Sequence, residues 1–228
     1  MNQIQDAGFY MVEDFIPEMI QRQFYLWSRS PERIHRGNAT DGKYYSEHDG
    51  EREYDVWWSI IPPKEMLIPI VSQMKTLIDV FFDGEEWAMH NASTTTTRAG
   101  SNEVYAHIDT PSRFKEFNGI DEILGVQAII TLDDFTEENG GTYILPGSHK
   151  ENIDIDDLTE NREKYNDRLL REGSQIRAKS GTLVIWDSRT LYSVMPNNSN
   201  DFRAELLMNF VRADIVDAVD QADKNTHR

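Results

Sequence analysis

The sequence predicts a mainly β protein with some α content, a sandwich or barrel of short strands behind two or three N-terminal helices. Three observations predict it. From Trp87 onward, short apolar and β-branched runs recur between turn signals, at the spacing of an all-β sandwich or barrel. Residues 123–132 (ILGVQAIITL) are apolar almost without interruption, as in a central strand covered on both faces. The longest helical periodicity lies ahead of these strands, where it can pack against one sheet. A chain of 228 residues fits one domain with one sizeable core, taken as residues 1–228.

The elements follow in order. Residues 8–16 (GFYMVEDFI) read as a short strand. Pro17 suits the first position of a helix, Glu18 its first turn, and Ile20, Phe24 and Trp27 share one face, before Ser30-Pro31 ends it. Residues 35–55 are polar and glycine-containing, either a loop at a pocket mouth or a solvated linker. Residues 63–82 form the best helix: Leu67, Ile70, Val71, Met74, Leu77, Ile78 and Phe81 recur at three- and four-residue spacing until Asp83-Gly84. Strands are then expected at 94–98, 104–108, 123–132, 143–145, 182–186, 190–194 and 204–211, interrupted by one helix at 157–171. Residues 213–228 are expected to be an acidic, frayed tail.

Composition narrows the chemistry. There is no cysteine, so disulfides, thiolate catalysis and sulfur-ligated metals are excluded, and any metal needs nitrogen and oxygen ligands. A net charge of −17 opposes phosphate backbones and anionic membranes, which argues against nucleic-acid and membrane partners. The N-terminus has no basic segment followed by an apolar run, and no apolar stretch approaches a membrane span; the expectation is a soluble, cytoplasmic protein.

The chemistry centres on His107-Ile108-Asp109. Positions i and i+2 of a strand point to one face, so this imidazole and carboxylate can converge on one cation; alone, the pattern is equally a surface pair. Downstream stand Leu132-Asp133-Asp134, Glu138-Asn139-Gly140 and Pro146-Gly147-Ser148-His149. This series closely resembles the phytanoyl-CoA dioxygenase-like family of iron(II)/2-oxoglutarate oxygenases. Residues 8–16, residues 179–187, Pro196-Asn197 and Arg203 extend the resemblance from residue 8 to about residue 212.

The resemblance implies a double-stranded β-helix (jelly-roll, cupin-like) core flanked by N-terminal helices. It implies Fe(II) held by His107 and Asp109, and 2-oxoglutarate held at its distal carboxylate by Arg203, through a guanidinium fork matched to a planar carboxylate. Gln127, polar within an apolar strand, either contacts the co-substrate or is satisfied by a neighbour. Dioxygen would be the oxidant and hydroxylation of a small-molecule substrate the outcome; a halogenase is disfavoured because Asp109 is present. Trp58, Tyr105 and Arg98, with Trp57 and Arg113, are candidates for substrate contact or plain structure. His149 belongs to the Pro-Gly-Ser-His turn. His90 has no partner at the site, and His35, His48 and His227 are expected to be solvated.

One position departs from the family. Its second histidine aligns with Tyr192, eleven residues before Arg203. A phenol of pKa about 10 must lose its proton to bind a metal well, and phenolate favours ferric iron. Four readings stay open: an oxygenase with an unusual ligand set that includes Tyr192 or with an incomplete one, a pseudo-enzyme, a substituted position, or a site completed by another side chain. The rival classes are a non-catalytic jelly-roll binding module and a cupin-like sugar-processing enzyme, the latter leaving Arg203 unexplained.

Overall fold

The computed structural model describes residues 6–29, 57–97, 99–100 and 105–226. The 35–55 segment, Arg98, His35, His48 and His227 lie outside the described residues, as do the side chains of Trp57 and Trp58.

The apolar run predicted as a central strand is one. It forms β4 (Gly125–Thr131), buried at every position. Its neighbours are β7 (Leu183–Asp187) and β9 (Arg203–Arg212), and outside them lie β1 (Phe9–Val12), β3 (Trp87–Thr97) and β2 (Trp57–Ile60). The large sheet has the order β1-β7-β4-β9-β3-β2, with every pair antiparallel. A smaller sheet of β6 (Ser174–Gln175), β5 (Thr142–Ile144) and β8 (Tyr192–Val194) has the order β6-β5-β8.

Two-residue alternation separates two cores. On one face of the large sheet, Val126, Ala128, Ile130, Leu183, Ile185, Leu206 and Met208 pack against two helices. These are α1 (Glu18–Ser28), which contributes Phe24, and α2 (Lys64–Phe81), which contributes Leu67, Ile70, Met74, Ile78 and Phe81. Fully burying each such side chain stabilises the fold by about 1.5–3 kcal/mol. That outweighs the backbone hydrogen bond lost at Pro69 inside α2, whose ring faces solvent. On the opposite face, Ile129, Val184 and Trp186 meet Ile144 and Tyr192 of the small sheet, closing the jelly roll.

Three expectations give way. Of the expected strand at 104–108, the described residues 105–108 are not a strand: only His107 is paired, by an isolated bridge to Tyr192. The expected helix at 157–171 is two, α3 (Ile155–Glu160) and α4 (Arg162–Glu172), meeting at Asn161. The Asp154 carboxylate caps α3 by accepting from the Asp156 and Asp157 amides at 2.9 Å. The tail is ordered through α5 (Val216–Thr226). Ile215, Val219 and Ala222 form a helical stripe that packs onto Phe114, Phe117 and Leu124, and this burial outweighs the acidic residues of the exposed face.

Candidate active site

His107, Asp109 and Tyr192 meet where two extended segments run side by side. The His107 amide donates to the Tyr192 carbonyl at 2.9 Å, the Tyr192 amide donates back at 3.0 Å, and the Asp109 amide donates to Ser188 O at 2.8 Å. This pairing fixes His107 and Asp109 two residues apart on one side. Tyr192 touches both: its hydroxyl donates to Asp109 Oδ2 at 2.7 Å, and its ring centre lies 4.3 Å from the imidazole.

The protonation of His107 can be read from its partner. Nδ1 lies 2.8 Å from the Tyr105 carbonyl, which only accepts, so Nδ1 bears the proton and Nε2 keeps a lone pair in the neutral ring. Burial, followed by the Asp109 charge, pushes the Tyr192 phenol well above its ordinary pKa. Tyr192 also packs edge-on against Trp186, with centroids 5.0 Å apart, which ties the small sheet to the large one beneath the site.

The inner face of the large sheet continues from there. Gln127 pairs in register with Trp186 on one side and Asn209 on the other. The partner its burial demands is Asn209, whose Nδ2 donates to Gln127 Oε1 at 3.2 Å and lies 3.0 Å from Thr110 O, beside Asp109. Asn209 was missed in the sequence, and so was Glu205. The signal was present: Arg203, Glu205 and Asn209 are polar at alternate positions of an otherwise apolar strand. Gly125 brings β4 close to the same segment, since a Cβ there would stand 2.6 Å from Thr110 O.

Arg203 is 1% exposed on this inner face. It donates through Nη1 to the carbonyls of Asn139, at 3.1 Å, and Gly140, and through Nη2 to Thr97 Oγ1 at 3.2 Å, while Phe135 lies under the guanidinium. Nε has no partner among the described residues. Burial pulls its pKa below the ordinary value, against the charges of Glu205 and Asp133.

The side chains of the remaining candidates have partners of their own. Tyr105 is half exposed, with Arg162 over its ring. Arg113 pairs with Asp223 of α5 at 2.9 Å while its charge also reaches Tyr192, and His90 pairs with Asp220 of the same helix at 3.1 Å. His149 is buried in the turn Ser148–Lys150, close against Gly8, where any Cβ would strike its ring. Ile108 points away from His107 and Asp109 into a separate surface cleft with Asn118, Asp121, His149 and Arg189, and Arg189 is committed to Asp187 at 2.6 Å.

The donor set can be tested against a divalent iron. A neutral imidazole with a free Nε2 and a carboxylate with one uncommitted oxygen fit as two ligands. The third position offers a phenol that donates to that carboxylate. Among the described residues, no group of three or more His, Asp or Glu side chains could hold a metal ion. The fit is therefore to two protein ligands of these types.

A jelly roll that gathers His-x-Asp at one end of its inner face and a buried arginine farther along β9 defines a cupin-like double-stranded β-helix protein of the oxygenase type. A family model described as phytanoyl-CoA dioxygenase (PhyH) matches residues 5–204, and the chain belongs to that family of iron(II)/2-oxoglutarate-dependent oxygenases. Solved structures agree in fold. The non-haem α-ketoglutarate-dependent epimerase SnoN from nogalamycin biosynthesis is 14% identical with a TM-score of 0.68, covering 93% of this chain and 79% of its own. EctD from S. alaskensis with bound Fe is 17% identical with a TM-score of 0.66, covering 92% and 74%. AviO1 from Streptomyces viridochromogenes Tue57 is 16% identical with a TM-score of 0.63, covering 93% of both chains. No curated protein matches the sequence. No helix among the described residues is long and apolar enough to cross a membrane.

Proposed function

We propose that the protein is a non-haem iron(II)/2-oxoglutarate-dependent oxygenase that hydroxylates a small molecule, with Tyr192 at the position of the family's second histidine. The observation that supports it most is the contact of one side chain, Tyr192, with both His107 and Asp109, because it requires those two to share a side. Iron(II), 2-oxoglutarate and dioxygen together supply the oxidising power to functionalise an unactivated C–H bond.

The protein's own residues prepare that chemistry. The Tyr105 carbonyl orients His107 and keeps its Nε2 available. The Tyr192 hydroxyl holds one oxygen of Asp109, leaving the other for the cation. Tyr192 thus takes the third place as a hydrogen-bond donor to a ligand while the phenol keeps its proton. Arg203 binds the distal carboxylate of the co-substrate, Gln127 and Asn209 line the same inner face, and Ile129, Val184 and Ile144 exclude water below it. Tyr105 and Trp58, with Arg98, remain the candidates for substrate contact.

The second reading is a non-catalytic jelly-roll binding module, favoured by the engagement of Asp109 with Tyr192 and by the lack of a three-ligand acidic or imidazole group among the described residues. Succinate formation from 2-oxoglutarate separates the two. Iron-dependent succinate release that disappears in Asp109→Ala and in Arg203→Ala supports the oxygenase. Absence of succinate under every metal and oxygen condition, with 2-oxoglutarate still bound, supports the module.

A further inference from the structure

Three buried polar atoms on the inner face of β9 have no hydrogen-bond partner among the described residues, Arg203 Nε, Glu205 Oε2 and Asn209 Oδ1; the first two belong to a pair of ionisable side chains. The two residues stand two positions apart on the same face and are 1% and 5% exposed. The other nitrogens of Arg203 are committed to the Asn139 and Gly140 carbonyls and to Thr97. What remains open at this end of the barrel is one guanidinium N–H and one carboxyl oxygen. A bare carboxylate enclosed in this way is costly, and a buried acid escapes the cost by keeping its proton or by meeting a donor.

Among the described residues, the surroundings supply no other charge that settles Glu205. Across β3 its register neighbour is Thr95, and across β4 it is Thr131. Arg203 is the cation that acts on it, and burial still holds its carboxyl above the ordinary range. From the small sheet, Tyr192 lies within reach of its charge. Asp133, which also acts on Arg203, is itself held by Arg29 at 2.7 Å.

Resting on the oxygenase reading above, we infer that Glu205 is a second anchor for the distal carboxylate of 2-oxoglutarate: as the neutral acid it donates its O–H to that carboxylate, while Arg203 Nε donates to the same group. Both open atoms are then satisfied by one ligand. The proton balance follows. Where free Glu205 is ionised, binding takes up one proton from solvent, because an ionised Glu205 would set two carboxylates against each other beside a single guanidinium. No covalent bond changes. Glu205 is a binding residue for the co-substrate, and it makes dicarboxylate affinity depend on pH through a side chain that is not itself a metal ligand.

Calorimetric titration of 2-oxoglutarate into the full chain with Mn(II), in buffers of different ionisation enthalpy, tests this. The unaltered protein is expected to take up one proton above the pKa of Glu205, with affinity falling about tenfold per pH unit there. Glu205→Gln keeps a donor that cannot titrate, so its proton uptake vanishes, its affinity is flat with pH, and it outbinds the unaltered chain by about tenfold for each pH unit above the pKa of Glu205. Proton uptake by the unaltered protein is informative whether or not the variant folds. If 2-oxoglutarate binds without proton uptake and Glu205→Gln shows the same affinity and pH profile, the inference is overturned and the oxygenase reading stands. If neither protein binds 2-oxoglutarate at all, both are overturned.

Discussion

Replacing Tyr192 by phenylalanine removes one hydroxyl and keeps the ring between His107 and Trp186. The lost contact is the 2.7 Å hydrogen bond to Asp109 Oδ2. Hydrogen bonds to a charged group contribute about 1.5–3 kcal/mol. Tyr192 is buried, but Asp109 is only partly so, and water can take the vacated place on its oxygen. The lower end applies, about 1.5 kcal/mol. For a chain of this length about 2–4 °C of Tm accompany each kcal/mol, so Tyr192→Phe is expected to melt about 3–6 °C below the native protein. Thermal unfolding of the native chain, Tyr192→Phe, Asp109→Ala and the double variant completes a cycle, with an expected coupling of about 1–2 kcal/mol. A coupling of zero, with Tyr192→Phe melting at the native temperature, would refute the claim that this phenol holds the carboxylate.

Three further outcomes are expected. Glu205 has a folded-state pKa raised by burial, so the folded protein binds its proton more tightly than the unfolded chain, and that contribution to stability is lost as pH rises from about 4.5 through the folded value; chemical denaturation of Glu205→Gln against the native protein should show an advantage for the variant that grows over that window. Gly125→Ala would drive a methyl against Thr110 O and the Pro111 ring, displacing the segment that follows Asp109; a Tm loss together with weakened metal binding in a titration is expected, and an unchanged metal affinity would argue against that route. Val219→Ala removes two fully buried methyl groups under α5 and should cost about 2 kcal/mol in urea unfolding, with faster proteolytic release of the C-terminal helix.

Much of the architecture was legible because simple periodicities coincide with burial. Residues 123–132 read as a central strand because helices cover one face of β4 and the small sheet covers the other. The helix at 63–82 was legible from its apolar stripe despite Pro69, which happens to face solvent. His107 and Asp109 were legible as a pair because extended backbone puts i and i+2 on one side, although the segment holding them is a single bridge rather than a strand. What escaped depended on tertiary neighbours. The stripe of Ile215, Val219 and Ala222 is short and set among acids, and only the groove of Phe114, Phe117 and Leu124 gives it something to bury against. Glu205 and Asn209 are ordinary polar residues in sequence; their position beside Arg203 and Gln127 follows from the β4–β9 register. His90 looked free because its partner, Asp220, lies on a helix that was expected to fray.

The central claim is that His107 and Asp109 hold a functional iron(II) site in which Tyr192 stands where the family places histidine. Its most direct test is anaerobic iron(II) titration of the native protein, Tyr192→His and His107→Ala, each with 2-oxoglutarate present. The account predicts saturable binding by the native chain, tighter binding by Tyr192→His as a third ligand is restored, and loss of binding in His107→Ala. Failure of both the native protein and Tyr192→His to bind iron(II) would contradict it.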